Sequence, residues 1–503
     1  MEIQVIAGDV TSQTVDAVLV SVFESAVNLE GPTEVLDRAL DGAISDLMRD
    51  GEIKGARGEI SLIHTLGKIA PKRVIVVGLG SQQTFNIDTL RYVGGESARF
   101  LKKLRVGECL SAIQGPLDGR FTVGQESQAV VEGVLLGLYK FTEHKSDKPS
   151  EDAKIRGFGF IHPDQSKVAE IEHGVSTGRV MAGAARMARD MVNQPANWMT
   201  PTKMAEISDQ LARDHGVDLT IFDKQECEEM GMGAYLGVAK GSEEEPKFIV
   251  LSYKGDPGNP ANNVGIIGKG ITFDSGGISL KPAPGMAAMK GDMAGGAAAI
   301  ASMKAIAQLK PAINVTVIVA ATENLPSGTA TKPGDVLYAM NGKTIEVDNT
   351  DAEGRVTLAD AVLYAKNIGL QRLVDIATLT GAIRTSLGNV RMGLFANNQS
   401  WADEVLRAGD DTGERMWQLP MDDDYKELNR SNVADIKNTG GPSAGSITAA
   451  HFIGEFAEST PWVHLDIAAV SMFDKEKGIY VNGATGIPVR SLVRLVMNLA
   501  NNQ

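Results

Sequence analysis

Four carboxylates, Asp274, Asp292, Asp351 and Glu353, stand in glycine-rich or apolar surroundings where an isolated buried charge would be costly. They lie in three short segments. The first is Gly268-Lys269-Gly270-Ile271-Thr272-Phe273-Asp274-Ser275-Gly276-Gly277, followed by Ser279-Leu280-Lys281; the second is Met289-Lys290-Gly291-Asp292-Met293; the third is Asn349-Thr350-Asp351-Ala352-Glu353-Gly354-Arg355. For any one of these acids a helix cap or an ion pair is the plainer reading. Asp351 and Glu353 resist it, because carboxylates so close repel unless something positive lies between them. Oxygen-rich ligation suits Mg2+, Mn2+ or Zn2+, and two such ions ~3.5–4 Å apart form a clamp for hydrolysis.

Lys269 and Lys281 flank Asp274, and solvated lysines are the ordinary alternative. Beside a dication, a lysine driven to its neutral form can ligate metal, whereas a charged one can polarise a carbonyl. Arg355 stands just ahead of a helix expected from residue 356, so it adds a fixed cation to a positive helix end, an anion-binding arrangement. A plain surface arginine is its alternative. No His occurs between His215 and His451, which excludes an H-E-x-x-H zinc site here and leaves no local His for a Ser-His-Asp triad. Gly268-Lys269 is followed by Gly270, so no phosphate loop is present.

The elements that must hold these residues follow from hydrophobic patterning. From about residue 195 onward, short apolar runs at 264–268, 315–321, 373–379 and 463–468 alternate with helical patterns at 294–308, 356–367 and 447–458. Near-continuous apolar strands alternating with helices imply a mostly parallel sheet covered on both faces, with ligands outside the carboxyl ends of its strands. Residues 1 to about 160 show a similar rhythm, with strands at 18–20, 60–63 and 74–77 and helices at 91–104 and 128–139. Residues 74–81 imitate a nucleotide-binding turn but lack the third glycine, so an ordinary strand end is expected. The chain turns polar between Thr142 and Asp164, which reads as a surface loop or domain edge. Residues 168–193 read as one long helix ending before Pro195, and Pro201 starts another running to His215. The expected organisation is α/β with two domains: a smaller N-terminal α/β domain (1–160), a connecting helix (161–195) and a larger catalytic α/β domain (196–503) with a mixed, mostly parallel central sheet.

Composition agrees with that size. At ~150 residues per domain, 503 residues imply two to four domains, and 43% hydrophobic residues suffice for a large core. Forty-nine basic against 63 acidic side chains leave a net charge of −14, which argues against nucleic acid as the main partner. Only Cys109 and Cys227 are present, which excludes a disulfide scaffold and fits a reducing compartment. Met1-Glu2-Ile3-Gln4 has no basic-then-apolar leader pattern, and the richest apolar stretch, 294–307, is short and carries Lys304. The expected location is therefore cytoplasmic, without a membrane partner.

The three segments resemble the leucyl aminopeptidase family of dinuclear-metal exopeptidases. Asn349 to Arg355 matches the family signature at every position, and the spacing of Lys269, Asp274, Lys281 and Asp292 fits throughout. The resemblance runs from about 195 to 495 and includes Asn438-Thr439-Gly440-Gly441 and His464-Leu465-Asp466-Ile467-Ala468; Thr357 departs from it where a hydrophobe is usual. The resemblance implies that Lys269, Asp274, Asp292, Asp351 and Glu353 ligate two divalent ions (Mn2+ or Zn2+, with Mg2+ as an alternative), Asp274 and Glu353 being shared. It implies Lys281 and Arg355 as the catalytic pair, with bicarbonate held by Arg355 as general base. It places Met289, Thr378, Gly381 and Ala468 around the pocket for the first side chain of a peptide substrate. Removal of uncharged, leucine-like N-terminal residues is the implied activity, and a homo-hexamer the implied assembly. A dinuclear-metal phosphoesterase and a moonlighting DNA-binding regulator are the competing readings.

Overall fold

The computed structural model describes residues 1–116, 118–147 and 155–501. The chain divides into two compact units, Met1–Ala182 with Lys475–Val481, and Gly183–Asp474 with Asn482–Gln503.

The first unit contains strands β1 (Glu2–Ala7) and β2 (Ala17–Val22), helices α1 (Gly31–Ala39) and α2 (Ala43–Arg49), and strands β3 (Ile60–His64) and β4 (Arg73–Gly78). Helix α3 (Ile87–Lys103), β5 (Glu108–Ser111), α4 (Val123–Gly137) and β6 (Gly157–His162) complete its sheet, ordered β1-β6-β5-β2-β4-β3. All neighbours run parallel except the β3/β4 pair. The strand period of two sorts the β-branched runs onto two faces. Leu19, Ile75 and Val77 pack with Val130 and Val134 of α4, while Val18, Val20, Val74 and Val76 pack with Leu36 and Ile44. Beyond Gly78 the chain makes a short 3-10 turn at Gln82–Thr84, an ordinary strand end. The expectation of a loop through 142–164 is corrected at its end, where β6 is a central strand of the sheet. Residues 148–154 of that polar stretch lie outside the described residues.

Helix α5 (Val168–Asn193) contains the division between the two units, at Ala182 and Gly183. The second unit continues with α6 (Pro201–His215), β7 (Asp218–Phe222), α7 (Lys224–Glu229), α8 (Gly233–Ala239) and β8 (Lys247–Lys254). Next come β9 (Asn263–Asp274), α9 (Ala294–Leu309) and β10 (Asn314–Asn324), then the short strands β11 (Val336–Tyr338) and β12 (Thr344–Glu346). After these follow α10 (Glu353–Asn367), β13 (Leu373–Ala377), α11 (Gly381–Leu387), β14 (Met392–Ala396), α12 (Gln399–Thr412) and β15 (Met416–Gln418). The chain ends with β16 (Ile436–Lys437), α13 (Gly445–Ala457), β17 (Trp462–Asp466), β18 (Met472–Phe473), β19 (Gly483–Ala484) and α14 (Val489–Asn501). Among the described residues no helix is long and apolar enough to cross a membrane.

The main sheet is mixed, ordered β15-β14-β17-β13-β9-β10-β8-β7. Its central strands β17, β13, β9 and β10 are parallel, so their carboxyl ends share one edge. Glycines let α9 lie against this centre. A Cβ on Gly268 of β9 would fall 2.5 Å from Gly296 Cα, and one on Gly295 would fall 2.0 Å from the Ile376 carbonyl oxygen. That close approach carries the start of α9, and Asp292 just before it, to the level of Lys269 on β9.

Candidate metal centre

Each acidic residue of the cluster stands where an element begins or ends. Asp274 is the last residue of β9, and Asp292 follows a 3-10 turn at Met286–Gly291 and precedes α9. Asp351 stands just before α10, and Glu353 is its first residue. Helix α10 thus begins three residues earlier than its apolar periodicity suggests, and Arg355 is in its first turn, not ahead of it. After β9 the chain reverses through Gly276, whose φ of +90° only glycine adopts without strain. The reversal brings Lys281 back over Asp274.

Ligand atoms of Asp274, Asp351 and Glu353 all lie within 4.8 Å of one another. Among the described residues they form the one group of three or more such side chains able to converge on a cation. Lys269 Nζ sits 2.7 Å from Asp292 Oδ2 and 2.7 Å from Glu353 Oε1, and Lys281 Nζ 2.7 Å from Asp274 Oδ2 and in contact with Asp351. Asp274, Asp292, Glu353 and Lys269 are buried, whereas the Asp351 side chain is 33% exposed. Fixed donors aim several of these groups. Asp274 Oδ1 accepts from Gly276 N at 2.9 Å and from Asn324 Nδ2 at 2.8 Å. Asp292 Oδ1 accepts from Thr378 Oγ1 at 2.7 Å, and the Thr378 carbonyl accepts from Lys269 Nζ at 3.2 Å.

The electrostatics show a cluster short of positive charge. Burial first, and then Asp274 and Glu353, hold the Asp292 carboxyl far above the usual range; burial and Asp274 raise Glu353. Burial also raises Asp351. Burial alone would lower Lys269, but Asp292, Glu353 and Asp274 outweigh it and carry the amine above the ordinary lysine value. Lys281 is likewise pulled down by burial and carried up further by Asp274 and Asp351. Two ammonium groups therefore face four carboxylates. Moreover, Asp292 Oδ2 and Glu353 Oε1 are buried and accept no hydrogen bond of normal geometry despite their nearness to Lys269. Hard divalent cations suit this donor set.

Arg355 Nη1 donates to the Asn438 carbonyl at 2.8 Å, while its buried Nε has no partner. Burial lowers its pKa to about 10, against the pull of Glu353 and Asp466. A cavity of about 950 Å³ opens over the cluster. Its walls include Lys269, Asp274, Lys281, Asp292, Asp351, Glu353 and Arg355, together with Met289, Thr378, Gly381 and Ala468. Every residue expected to serve the site thus reaches one cavity.

Residues 186–493 match the catalytic domain of the cytosol aminopeptidase family, and residues 19–148 match its N-terminal domain. The chain belongs to the cytosol aminopeptidase family. This aminopeptidase is 43% identical over 501 residues to a probable cytosol aminopeptidase of Alkaliphilus metalliredigens, covering 99% of this chain and 100% of that one. It is 45% identical over 485 residues to one from Solibacter usitatus, covering 96% of each. Among solved structures it resembles a mutant of tomato leucine aminopeptidase (TM-score 0.88, 32% identity, 99% of this chain and 96% of that one). It also resembles the bottromycin maturation enzyme BotP in complex with Mn (TM-score 0.84, 31% identity, 97% and 100%).

Sequence patterning missed residues of this aminopeptidase that orient the cluster without joining it. Asn324 closes β10 as the last of a polar run, Thr322-Glu323-Asn324, after an apolar strand, a local signal that could have marked it. Thr378 was expected only in the substrate pocket, yet its hydroxyl serves Asp292. Asp466 ends β17 fully buried and accepts from Leu379 N, Thr380 N, Thr380 Oγ1 and Ala468 N, tying down two walls of the cavity. The departure at Thr357 is absorbed locally: its buried hydroxyl donates to the Gly354 carbonyl one turn back.

Proposed function

We propose that the chain is a two-metal aminopeptidase that removes uncharged, leucine-like residues from the free N-terminus of peptides. The observation that carries this reading is the convergence of ligand atoms of Asp274, Asp351 and Glu353 within 4.8 Å, beside the buried Asp292. Lys269, Asp274, Asp292, Asp351 and Glu353 would hold two divalent ions, Mn2+ or Zn2+ before Mg2+. The bound ions supply Lewis acidity, which lowers the pKa of water and polarises a carbonyl.

The rest is work for side chains. Lys269 would help hold an ion only as a neutral amine, so metal uptake would release the proton that its carboxylate neighbours favour. Lys281 keeps its charge at the cavity wall and stabilises the oxyanion that grows on the scissile carbonyl. Arg355, with an unpartnered Nε at the start of α10, would hold bicarbonate as the general base. Met289, Thr378, Gly381 and Ala468 present no charge to the first side chain of the substrate. Nothing observed favours a phosphoesterase or a DNA-binding regulator.

The test strips the protein with chelator, restores Mn2+ or Zn2+, and follows leucine p-nitroanilide beside its N-acetylated analogue. Metal-restored cleavage of the free-amine substrate alone is the expected result. Cleavage of neither substrate with either metal overturns the reading. Light scattering of the same preparation reads the homo-hexamer that the resemblance implies.

A further inference from the structure

Asn438 belongs to a segment that the sequence singled out and the proposed chemistry leaves without a task. It follows β16, which runs parallel to β12 with Ile436 beside Ile345 and Lys437 beside Glu346. The two strands stop together, and Asn438 N donates to the Glu346 carbonyl at 3.0 Å, continuing the ladder by one more bond. Beyond this point the β12 chain turns through residues 348–352 into α10, and that turn carries Asp351.

The Asn438 side chain, 1% exposed, is spent entirely on that turn. Its Oδ1 accepts from Asp348 N at 2.9 Å and Asn349 N at 3.3 Å. Its Nδ2 donates to the Asn349 carbonyl at 2.7 Å and the Ala352 carbonyl at 3.3 Å. Two donor hydrogens and two acceptor lone pairs are the full capacity of an asparagine amide, and all are used. The backbone carbonyl of the same residue accepts from Arg355 Nη1 at 2.8 Å. Next to it, Thr439 Oγ1 bonds the Asp348 carboxylate, so the seam extends one residue further. Helix α10 has no side-chain cap at Ala352; Asn349 Oδ1 accepts from Asp351 N at 2.8 Å and Thr350 is bonded to Ser279, Gly276 and Asn324, while Asn438 alone ties Asp348, Asn349 and Ala352 together.

We propose that Asn438 is a positioning residue. Its amide is the template on which the 348–352 turn folds, so it sets Asp351 for metal uptake, and its carbonyl sets Arg355. The proposal rests on the two-metal reading above. It separates the two functions of the residue: a side-chain deletion removes the template for Asp351 but leaves the carbonyl bond to Arg355.

The experiment uses the full chain and two variants, Asn438→Ala and the near-isosteric Asn438→Asp, which turns both donors into acceptors. Mn2+ affinity of the stripped proteins is measured by calorimetry, folding by thermal unfolding, and turnover with leucine p-nitroanilide. Misplacing a ligand through the group that orients it costs about 10–100-fold in metal affinity. Folded Asn438→Ala should lose that much Mn2+ affinity, recover part of its kcat at saturating Mn2+, and keep KM within about threefold; Asn438→Asp should lose more. If Asn438→Ala does not fold, Asn438→Ser, whose hydroxyl keeps one of the bonds, is read by the same criteria. A folded variant with wild-type Mn2+ affinity and kcat overturns the role of Asn438. Wild-type protein that binds no Mn2+ overturns the two-metal reading itself.

Discussion

The glycine between Glu353 and Arg355 is the sharpest test of the cluster's geometry. A Cβ built on Gly354 would lie 2.6 Å from both Cε and Nζ of Lys269 and 2.8 Å from its Cδ. Relief of such a contact needs a displacement of about 0.8–1 Å, since non-bonded atoms of this kind settle at about 3.5 Å. Lys269 has nowhere to give. Its ammonium is held at 2.7 Å by Asp292 and Glu353 and at 3.2 Å by the Thr378 carbonyl, and the residue is 2% exposed. Either Nζ leaves these partners, or the first turn of α10 moves and takes Glu353 with it. Misplacement by about 1 Å costs about 100-fold in turnover. The backbone does not share the strain: Gly354 is helical, where alanine is favoured over glycine by about 1 kcal/mol. That gain offsets part of the roughly 1–3 kcal/mol of overpacking. Gly354→Ala should therefore unfold within about 2 kcal/mol of the parent in urea while kcat/KM for leucine p-nitroanilide falls about 100-fold after reloading with Mn2+. A folded variant with kcat/KM within threefold of the parent would refute the claim that Lys269 is confined between Asp292 and Glu353.

Two further outcomes follow from other residues. Lys281→Ala should lower kcat by about 100- to 1,000-fold, the usual cost of one oxyanion donor, without weakening Mn2+ binding, because the ammonium competes with the ions for Asp274 and Asp351. Calorimetry beside steady-state kinetics checks this, and an unchanged kcat sinks the role of Lys281. In the first unit, burial lifts the Glu126 carboxyl from about 4.5 to about 7, although Gly115 N donates to it at 3.1 Å. The folded unit then holds a proton that the unfolded chain releases, so this stabilisation is complete below about pH 4.5 and disappears as pH rises through about 7. It amounts to about 3 kcal/mol. Glu126→Gln should flatten that part of the pH dependence in urea unfolding between pH 5 and 8; parallel profiles for the two proteins would exclude the assignment.

What the amino-acid pattern reveals and what it hides divide by sequence distance. The four carboxylates could be suspected as one cluster because they stand in three short segments with glycine-rich or apolar neighbours and because Asp351 and Glu353 are so close; the full ligand set, with Lys269, came from the family resemblance. The groups that aim them could not be suspected in this way: Asn324 acts on Asp274 across 50 positions, Thr378 on Asp292 across 86, and Asn438 on Asn349 across 89. Each stands at or just past a strand end, and although the polar close of β10 and the Asn438-Thr439-Gly440-Gly441 segment could be noticed, neither tells which distant carboxylate or turn the side chain serves. Strand β6 was hidden differently. Its Gly-Phe-Gly-Phe core lacks the β-branched pattern, because a Cβ on Gly159 would meet Leu110 of the adjacent strand at 2.5 Å.

Sheet register is what converts these distant residues into one site. Ile376 of β13 pairs with Gly268 of β9, so the chain leaving β13 is level with Lys269 when it reaches Thr378, and Thr378 can serve Lys269 and Asp292 at once. Asp466 pairs with Ala377 on the other side and fastens the same exit from β13 through Leu379 and Thr380. A slip of one residue in β13 would turn its side chains to the opposite face and carry Thr378 away from both partners. The buried valine, isoleucine and leucine side chains of β9, β13 and β17 forbid that slip, because they would have to exchange one helical layer for the other. The hydrophobic pattern that announces the sheet is thus also the restraint that holds the charged cluster in place.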